Sequence, residues 1–211
     1  MNKTLYIDNF EFWTENDTEK LPDVSFIPPM LRRRMSALEK IAISLASKIA
    51  PENADYKLVF ASRFGEWEQT IKLIRQFYDD REMSPAGFSN SVHNAAMGHL
   101  SLLVHNTNSY TSIAGGERTI ENALLDAILT NKPVMFIYAE EHNPSEYEHM
   151  LEKPVLSHGC VILIKDNGQN KYELTSSVCN EDLPALSFQE LHNALQNGTD
   201  IKTSNWTLSK K

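Results

Sequence analysis

The chain has 211 residues, of which 41% are hydrophobic, and its formal charge at pH 7 is −8. A chain of this length can bury a sizeable core, so we expect a single domain spanning residues 1–211. The acidic charge argues against nucleic-acid binding, because phosphate binding needs a net basic face. No apolar run approaches the roughly 20 residues of a membrane span, and the start of the chain lacks the apolar core of a signal peptide. The sequence therefore predicts a cytoplasmic protein that contacts neither nucleic acid nor membrane.

The first third of the chain predicts a strand and a long helix. Residues 5–13 alternate in hydrophobicity, which indicates one strand, or two short ones, with one solvent-facing edge. The helix is predicted to begin near Pro28 and to end before Pro51, because an apolar stripe recurs between them at helical spacing. The stripe consists of Leu31, Met35, Leu38, Ala42, Leu45 and Ile49. The basic cluster Arg32, Arg33 and Arg34 either covers a solvated helix face or forms a docking patch for an anionic partner.

The central part of the chain predicts two strand-to-helix units. The first is a buried strand at residues 56–62, followed by a helix whose apolar face carries Trp67, Ile71, Ile74 and Tyr78. The second unit begins with a helix from Ser84 to Gly98, capped by Ser84 with Pro85 in its first turn. A short β-prone run, Tyr110 to Ile113, then breaks at Ala114-Gly115-Gly116 and leads into another helix.

The last third of the chain predicts a central strand and a hairpin. A continuous apolar run at residues 132–139 is typical of a strand that is covered on both faces. Residues 160–164 and 172–178 are predicted to pair about a turn at Asn167-Gly168. That register places Cys160 opposite Thr175 and too far from Cys179 for a disulfide, so both cysteines are predicted to be free thiols.

Polar residues mark the ends of two helices. Ser187 and Glu190 form a capping-box pattern for a final helix. Glu66 and Glu68 lie in the first turn of an earlier helix, where acidic residues favour the positive end of the helix dipole and need no further role. Strands and helices that alternate and then give way to a hairpin indicate an α/β layered domain with a mixed sheet.

The segment from Ser84 onward resembles the N-terminal half of β-ketoacyl synthases, which have the thiolase fold. The resemblance rests on the pattern Ser-Pro-x-x-Phe-x-x-Ser-x-x-Asn-x-x-x-Gly, on the strand, turn and helix after it, and on residues 26–36. It implies an α/β, thiolase-like layered fold, half of a ketosynthase, in which helices flank a mixed sheet. In that family the turn carries the acyl-accepting Cys, and this chain has Ile113 or Ala114 at the matching place. The family's two catalytic histidines belong to the second half, for which this chain has no room.

The resemblance implies a non-catalytic subunit of chain-length-factor type that pairs with an active ketosynthase, as in bacterial aryl polyene, fatty-acid or polyketide synthesis. It implies no cofactor. In the family, the matching helix and the next strand lie at the dimer interface and border the partner's acyl channel. The residues expected there, unless they pack within their own chain, are Phe88, Ser91, Val92, Asn94, Ala95, Met97, Tyr110 and Ser112. Acyl carrier protein would reach the complex, and the Arg32, Arg33 and Arg34 cluster is a candidate for docking it.

Two other functions remain open from the sequence. Ser112 precedes the Gly-Gly turn, and a base such as His93 or His105 would make it the nucleophile of a stand-alone α/β hydrolase or acyltransferase. The Gly-x-Ser-x-Gly motif of such enzymes is absent, however. A homodimeric scaffold without a substrate is the third possibility. His142 and His149 lie in an acidic segment, but their spacing matches no zinc motif, so no metal site is predicted.

Overall fold

The computed structural model describes residues 2–16, 18–50, 55–131, 133–176 and 183–211. Within these residues the strands are β1 (Asn2–Thr14), β2 (Lys57–Ala61), β3 (Tyr110–Ile113), β4 (Val134–Glu140), β5 (His158–Lys165), β6 (Lys171–Ser176), β7 (Ile201–Lys202) and β8 (Trp206–Lys210). The α-helices are α1 (Pro29–Arg32), α2 (Ala37–Ile49), α3 (Trp67–Asp80), α4 (Pro85–Ser89), α5 (Ala95–Leu103), α6 (Thr119–Leu129) and α7 (Phe188–Asn197). Short 3-10 helices span Gly116–Arg118 and Ser145–Met150.

The strands form one mixed sheet in the order β3-β2-β4-β5-β1-β6-β8-β7. The three strands at one end, β3, β2 and β4, run parallel to one another. From β4 onward each neighbouring pair is antiparallel. The carboxyl ends of β2, β3 and β4 therefore meet at one edge of the sheet, which is where α/β proteins commonly place their sites.

Helices cover both faces of the sheet. The side chains of β4 are all buried: Val134 and Phe136 pack toward α6 and α7, whereas Met135 and Ile137 pack toward α2 and α5. A strand enclosed on both sides favours apolar side chains, which explains the apolar run that precedes Glu140 at the end of β4. The predicted α/β layered domain with a mixed sheet is confirmed.

The prediction that β5 and β6 form a hairpin is wrong. β1 lies between them and pairs with both, so that Cys160 lies opposite Phe12 and Leu5 opposite Tyr172. The Asp8 carboxylate accepts a hydrogen bond of 2.8 Å from the Asn170 backbone amide, which fastens the β5–β6 connection to β1. β6 pairs with residues 2–6 of β1 and β5 with residues 6–14, so each part of β1 keeps one edge without a neighbouring strand in the described residues. Cys160 is a free, buried thiol, and Cys179 lies outside the described residues.

Two predicted helices are each divided in two. The helix predicted after Pro28 breaks after α1, because Ser36 forms a capping box with Glu39 that starts α2 afresh. The helix predicted from Ser84 to Gly98 is interrupted at residues 90–94, between α4 and α5. The caps at Ser84 and Ser187 are confirmed.

Part of the predicted apolar face of α3 points to solvent. Ile71 is buried as expected, but Ile74 and Tyr78 are exposed. No helix in the described ranges is long and apolar enough to cross a membrane.

Candidate functional site

The turn that follows β3 lies at the carboxyl edge of the parallel strands and enters α6 through a short 3-10 helix. Ile113 ends the strand and is partly buried, whereas Ala114 is exposed. The Thr119 hydroxyl closes the turn, since it accepts a hydrogen bond of 2.9 Å from the Gly115 amide and donates one of 2.7 Å to the Gly116 carbonyl. These hydrogen bonds shape the turn that follows Ile113 and Ala114, one of which is predicted from the sequence to match the nucleophile position.

The two glycines suit the turn for different reasons, close packing at Gly115 and a left-handed backbone at Gly116. A Cβ at Gly115 would lie 2.6 Å from the Asn122 amide nitrogen, and Gly116 has a φ of +60°. The turn keeps this shape although Ile113 and Ala114 supply no nucleophilic atom.

The thiol of Cys160 does not replace the missing nucleophile. Cys160 lies in β5, inside the core shared with α6 and α7, and burial strongly raises the pKa of its thiol. A buried thiol in apolar surroundings is inert, because the thiolate is the reactive form.

Ser112 has no activating base among its described contacts. Its hydroxyl is buried and has no hydrogen-bond partner in the described part of the chain. His93, the predicted base, instead places its Nε2 atom 2.8 Å from the Ser62 carbonyl and packs against Phe60. His105 is exposed in a left-handed backbone conformation and no contact to Ser112 is seen. The geometry does not support a serine nucleophile.

Most of the predicted interface residues reach the surface. Phe88 and Val92 are exposed, as is Tyr110 on the edge strand β3. The Asn94 amide donates a hydrogen bond of 3.4 Å to the Tyr110 hydroxyl, so the structure brings the segment before α5 next to β3. Ser91 and Ala95 are partly buried. Met97, by contrast, is fully buried in the core under α2 and α5.

One edge of β3 has no neighbouring strand within the described residues. The Ser109 carbonyl accepts a hydrogen bond of 3.2 Å from the Leu58 amide of β2, and the Ile113 carbonyl accepts one of 3.3 Å from the amide of Ser62, which directly follows β2. Because backbone groups alternate in direction along a strand, the amides of Tyr110 and Ser112 point away from β2. We call β3 together with residues 88–94 the edge surface. Its free amides and apolar side chains are suited to adding a strand from another chain.

An aromatic groove of about 450 Å³ lies beyond the carboxyl ends of β2 and β4. The groove was not predicted. Phe64 follows β2 and stacks on Trp67, with 4.2 Å between ring centroids, and Tyr147 packs on the other side of Trp67. Arg63 lies over the Phe64 ring and forms an ion pair of 3.7 Å with Glu117, which belongs to the turn after β3. Tyr147 is distant in sequence from Phe64 and Trp67, so the sequence pattern did not predict that the three rings form one groove.

The carboxylates of Glu39, Glu66 and Glu141 are buried beside the groove, between α2, α3 and β4, and their clustering was not predicted. Glu141 accepts hydrogen bonds from the backbone amides of Leu38 and Glu68 and so joins the first turns of α2 and α3. Neither oxygen of Glu66 has a hydrogen-bond partner among the described residues. Burial, then the neighbouring Glu39 and Glu141 carboxylates, raise the pKa of Glu66 to about 9. Glu66 is therefore a neutral acid at physiological pH.

Glu140, the last residue of β4, anchors the chain that leaves β2. Its carboxylate accepts hydrogen bonds from the Ser62 hydroxyl at 3.1 Å and from the backbone amides of Arg63 and Phe64. Burial raises its pKa to about 7. Glu140 therefore fixes the segment that carries Arg63 and Phe64 of the groove. No group of three His, Cys, Asp or Glu side chains in the described ranges is arranged to hold a metal ion.

One of the three arginines at positions 32–34 forms a hydrogen bond within the chain, and the other two are exposed. Arg32 donates a hydrogen bond of 3.3 Å to the Val24 carbonyl. Arg33 and Arg34 are exposed, and neither forms an ion pair with any described residue.

The solved structures most relevant to the site are ketosynthase complexes. The protein resembles a chain in the complex of the ketosynthase ApeO with its chain length factor ApeC from Xenorhabdus doucetiae. The TM-score is 0.78 and the identity is 19%, over 98% of this chain and 99% of that chain. It also resembles the ishigamide ketosynthase/chain length factor, with a TM-score of 0.59 and 16% identity over 68% of this chain and 48% of that chain.

A third structure is that of a type II polyketide synthase acyl-carrier protein in complex with its ketosynthase, AntDE:AntF. The TM-score is 0.63 and the identity is 12%, over 84% of this chain and 70% of that chain. At these identities the likeness shows the fold, which is the thiolase-like layered fold predicted from the sequence. Comparison with curated proteins finds no match.

At the level of sequence, residues 9–209 match the family described as β-ketoacyl synthase, N-terminal domain. This match covers nearly the whole chain and agrees with the fold and with the strand, turn and helix at the site. The chain therefore belongs to the β-ketoacyl synthase family.

Proposed function

We propose that this protein is a non-catalytic ketosynthase subunit of chain-length-factor type. It pairs with an active β-ketoacyl synthase and helps to shape the channel that holds the growing acyl chain. Aryl polyene synthesis, or a related fatty-acid or polyketide pathway, is the proposed setting. Residence in the cytoplasm stays a prediction from the sequence.

The turn after β3 is the observation that carries this proposal. Its glycines and the Thr119 hydrogen bonds shape the turn, and the family resemblance predicts that Ile113 or Ala114 stands where the family has its acyl-accepting Cys. An acyl group cannot be held covalently by an alkyl side chain, and the described thiol of Cys160 is buried elsewhere. A preserved scaffold without a nucleophile favours a structural role beside an active enzyme.

The edge surface is the proposed contact with the active synthase. A strand of the partner would pair with the free edge of β3, while Phe88 and Val92 would bury their exposed side chains against it. This protein aligns with 99% of one chain in the complex of ApeO with ApeC. A chain of about the same length as this protein therefore occurs in such a complex, which supports the proposed pairing.

The acyl channel is proposed to run beside the edge surface and the aromatic groove. Ser91 and Ala95 lie between the exposed residues of the edge surface and the core, and the groove reaches the turn through the Arg63–Glu117 ion pair. Each methylene that enters an apolar channel contributes about 0.8 kcal/mol, so a side chain that blocks the channel limits product length sharply.

Co-expression with a complete ketosynthase encoded beside it tests the proposed function. We expect a 1:1 complex in size-exclusion chromatography with light scattering, and products from the complex but not from this chain alone. The matched control is the complex whose synthase lacks its nucleophilic Cys, which should form equally well and make no product. Condensation by this chain alone, or failure of the two chains to associate, would contradict the proposal.

A further inference from the structure

The sequence contains two Asn-Gly dipeptides, Asn167-Gly168 and Asn197-Gly198. In such a pair the backbone nitrogen of the glycine can attack the side-chain amide carbon of the asparagine, because glycine has no Cβ that would shield the nitrogen. The attack needs an asparagine backbone that is free to leave the helical conformation and a glycine nitrogen that is not held in a hydrogen bond. The structure separates the two dipeptides on both points.

Asn197-Gly198 is locked at the end of α7. Asn197 is the last residue of the helix, and the Gly198 amide donates a hydrogen bond to the Ala194 carbonyl. The Thr199 amide donates a second hydrogen bond, of 3.0 Å, to the same carbonyl. Gly198 closes the helix in the left-handed conformation, with a φ of +64°. The nitrogen that would attack the Asn197 side chain is therefore engaged in the helix.

Asn167-Gly168 lies in the connection between β5 and β6, and both residues are exposed. Within the described part of the chain, neither the Asn167 side chain nor the Gly168 amide forms a hydrogen bond. The hydrogen bonds that fasten this connection begin one residue later. The amides of Gln169 and Asn170 donate to the Asp8 carboxylate, at 3.0 and 2.8 Å. The attacking nitrogen and its target are thus free, whereas the backbone that follows them is fixed.

The hydrogen bonds to Asp8 form a clamp that depends on the path of this backbone. The Asn170 side-chain amide also donates to the Asp8 carboxylate, at 3.2 Å. A Cβ at Gly168 would collide with the same carboxylate and would lie 3.0 Å from the Tyr6 Cβ atom. Asp8 lies at the irregularity in the pairing of β1 with β5, next to the point where β6 becomes the partner of β1. The clamp therefore holds the place where β1 changes its neighbouring strand.

We propose that Asn167 is a site of spontaneous deamidation and that the reaction releases the Asp8 clamp. The Gly168 nitrogen gives up its proton and bonds to the Cγ atom of Asn167, while the bond from Cγ to the side-chain nitrogen breaks and ammonia leaves with that proton. Water then opens the cyclic imide. Cleavage of the new bond at Cγ gives aspartate, and cleavage of the original peptide bond gives isoaspartate.

Isoaspartate lengthens the backbone between residues 167 and 168 by one atom, because the main chain then runs through the former side chain. The amides of Gln169 and Asn170 consequently lose their alignment with the Asp8 carboxylate. A backbone amide without its hydrogen bond exchanges its hydrogen with solvent faster, which makes the release of the clamp measurable.

Peptide mapping by mass spectrometry tests the assignment of the site, with the purified protein incubated at pH 8 and 37 °C. In the folded protein Asn167 should deamidate at least tenfold faster than Asn197. In guanidinium chloride the two sites should react at similar rates, since only the structure separates them. Equal rates in the folded protein would overturn the assignment, and so would an Asn167 that stays intact for as long as the unfolded chain needs to react.

Hydrogen exchange of the incubated protein tests the release of the clamp. The amides of Gln169 and Asn170 should exchange at least fivefold faster after deamidation than before. Asn167→Gln should keep its protection through the same incubation, because glutamine would have to close a larger ring and reacts far more slowly. Asn197→Gln is the matched control, since it removes the other Asn-Gly pair and should behave as the unmodified protein does. Unchanged exchange at both amides in protein that carries isoaspartate at position 167 would overturn the release of the clamp.

Discussion

Glu66→Gln should stabilise the protein at alkaline pH, and the size of the effect follows from the burial of Glu66. Glu66 is 2% exposed, neither of its oxygens has a hydrogen-bond partner among the described residues, and Glu39 and Glu141 are its charged neighbours. Burial and these two carboxylates raise its pKa to about 9, from an ordinary value of 4.5. Gln is neutral at every pH and nearly the same size, so the variant resembles the protonated form.

The sign of the pH dependence is set by the raised pKa. Between pH 4.5 and pH 9 the folded protein keeps the Glu66 proton, whereas the unfolded chain has lost it. With respect to Glu66, the protein has its full stability below pH 4.5, the pKa of Glu66 in the unfolded chain. It loses this stability as the pH rises from there to about 9, the pKa of Glu66 in the folded protein. Each pH unit in this window costs about 1.4 kcal/mol, so Glu66 removes about 4 kcal/mol of unfolding free energy between pH 5 and pH 8. That is a large fraction of the roughly 5–15 kcal/mol of a typical domain.

Urea unfolding at pH 5 and pH 8, followed by tryptophan fluorescence, measures this effect. The unfolding free energies of Glu66→Gln and the unmodified protein should be similar at pH 5, and the variant should be more stable by about 4 kcal/mol at pH 8. Glu68→Gln is the control, because it makes the same substitution at an exposed position two residues away. A variant that shows the same stability difference at both pH values would refute the assignment of Glu66 as a buried neutral acid.

Three further predictions concern the edge surface and the core. Ser112→Pro removes a backbone amide from the free edge of β3 without breaking the pairing of β3 with β2. It should therefore abolish the complex with the synthase, measured by size-exclusion chromatography. Ser112→Ala keeps this amide and should not abolish the complex. A folded Ser112→Pro chain that still forms the complex would exclude strand addition. Ser91→Trp should shorten the products of an intact complex, measured by mass spectrometry, while Ser47→Trp on α2 should leave their length unchanged; equal product lengths would contradict the channel assignment. Met97→Ala should lower the unfolding free energy by about 2–5 kcal/mol, because Met97 is buried in the core; unchanged stability would contradict that placement.

Much of the fold was predictable because local patterns decided it. A buried apolar run located β2, a short β-prone run located β3, and the unbroken apolar run located β4 within two residues. The caps at Ser84 and Ser187 satisfy backbone amides locally, so they formed as predicted. These features need no knowledge of distant parts of the chain.

The errors arose where distant residues compete with local patterns. Sequence proximity and Asn167-Gly168 favoured a β5–β6 hairpin, but β1 is long enough to pair with both strands and Asp8 fastens the connection to it. The capping box at Ser36 overrides an apolar stripe that runs through the break before α2. His93 bonds the Ser62 carbonyl instead of lying on a helix.

Only part of the candidate site could be predicted from the sequence. The strand that ends at Ile113 and the turn after it could be predicted from the sequence, whereas the match of Ile113 or Ala114 to the family's nucleophile stays a prediction. Glu66 was interpreted as an acid at a helix N-terminus, and its position before α3 agrees with that, but its burial against Glu39 and Glu141 depends on the packing of three elements. The aromatic groove likewise required the turns after β2 and β4 to meet.

Covalent acylation measured by intact-protein mass spectrometry tests the central proposal most directly. The purified complex is incubated with an acyl donor in the presence of acyl carrier protein, and the mass of each subunit is recorded. We predict that the acyl group appears on the synthase subunit alone and that the mass of this chain does not change. An acyl adduct on this chain would contradict a non-catalytic role.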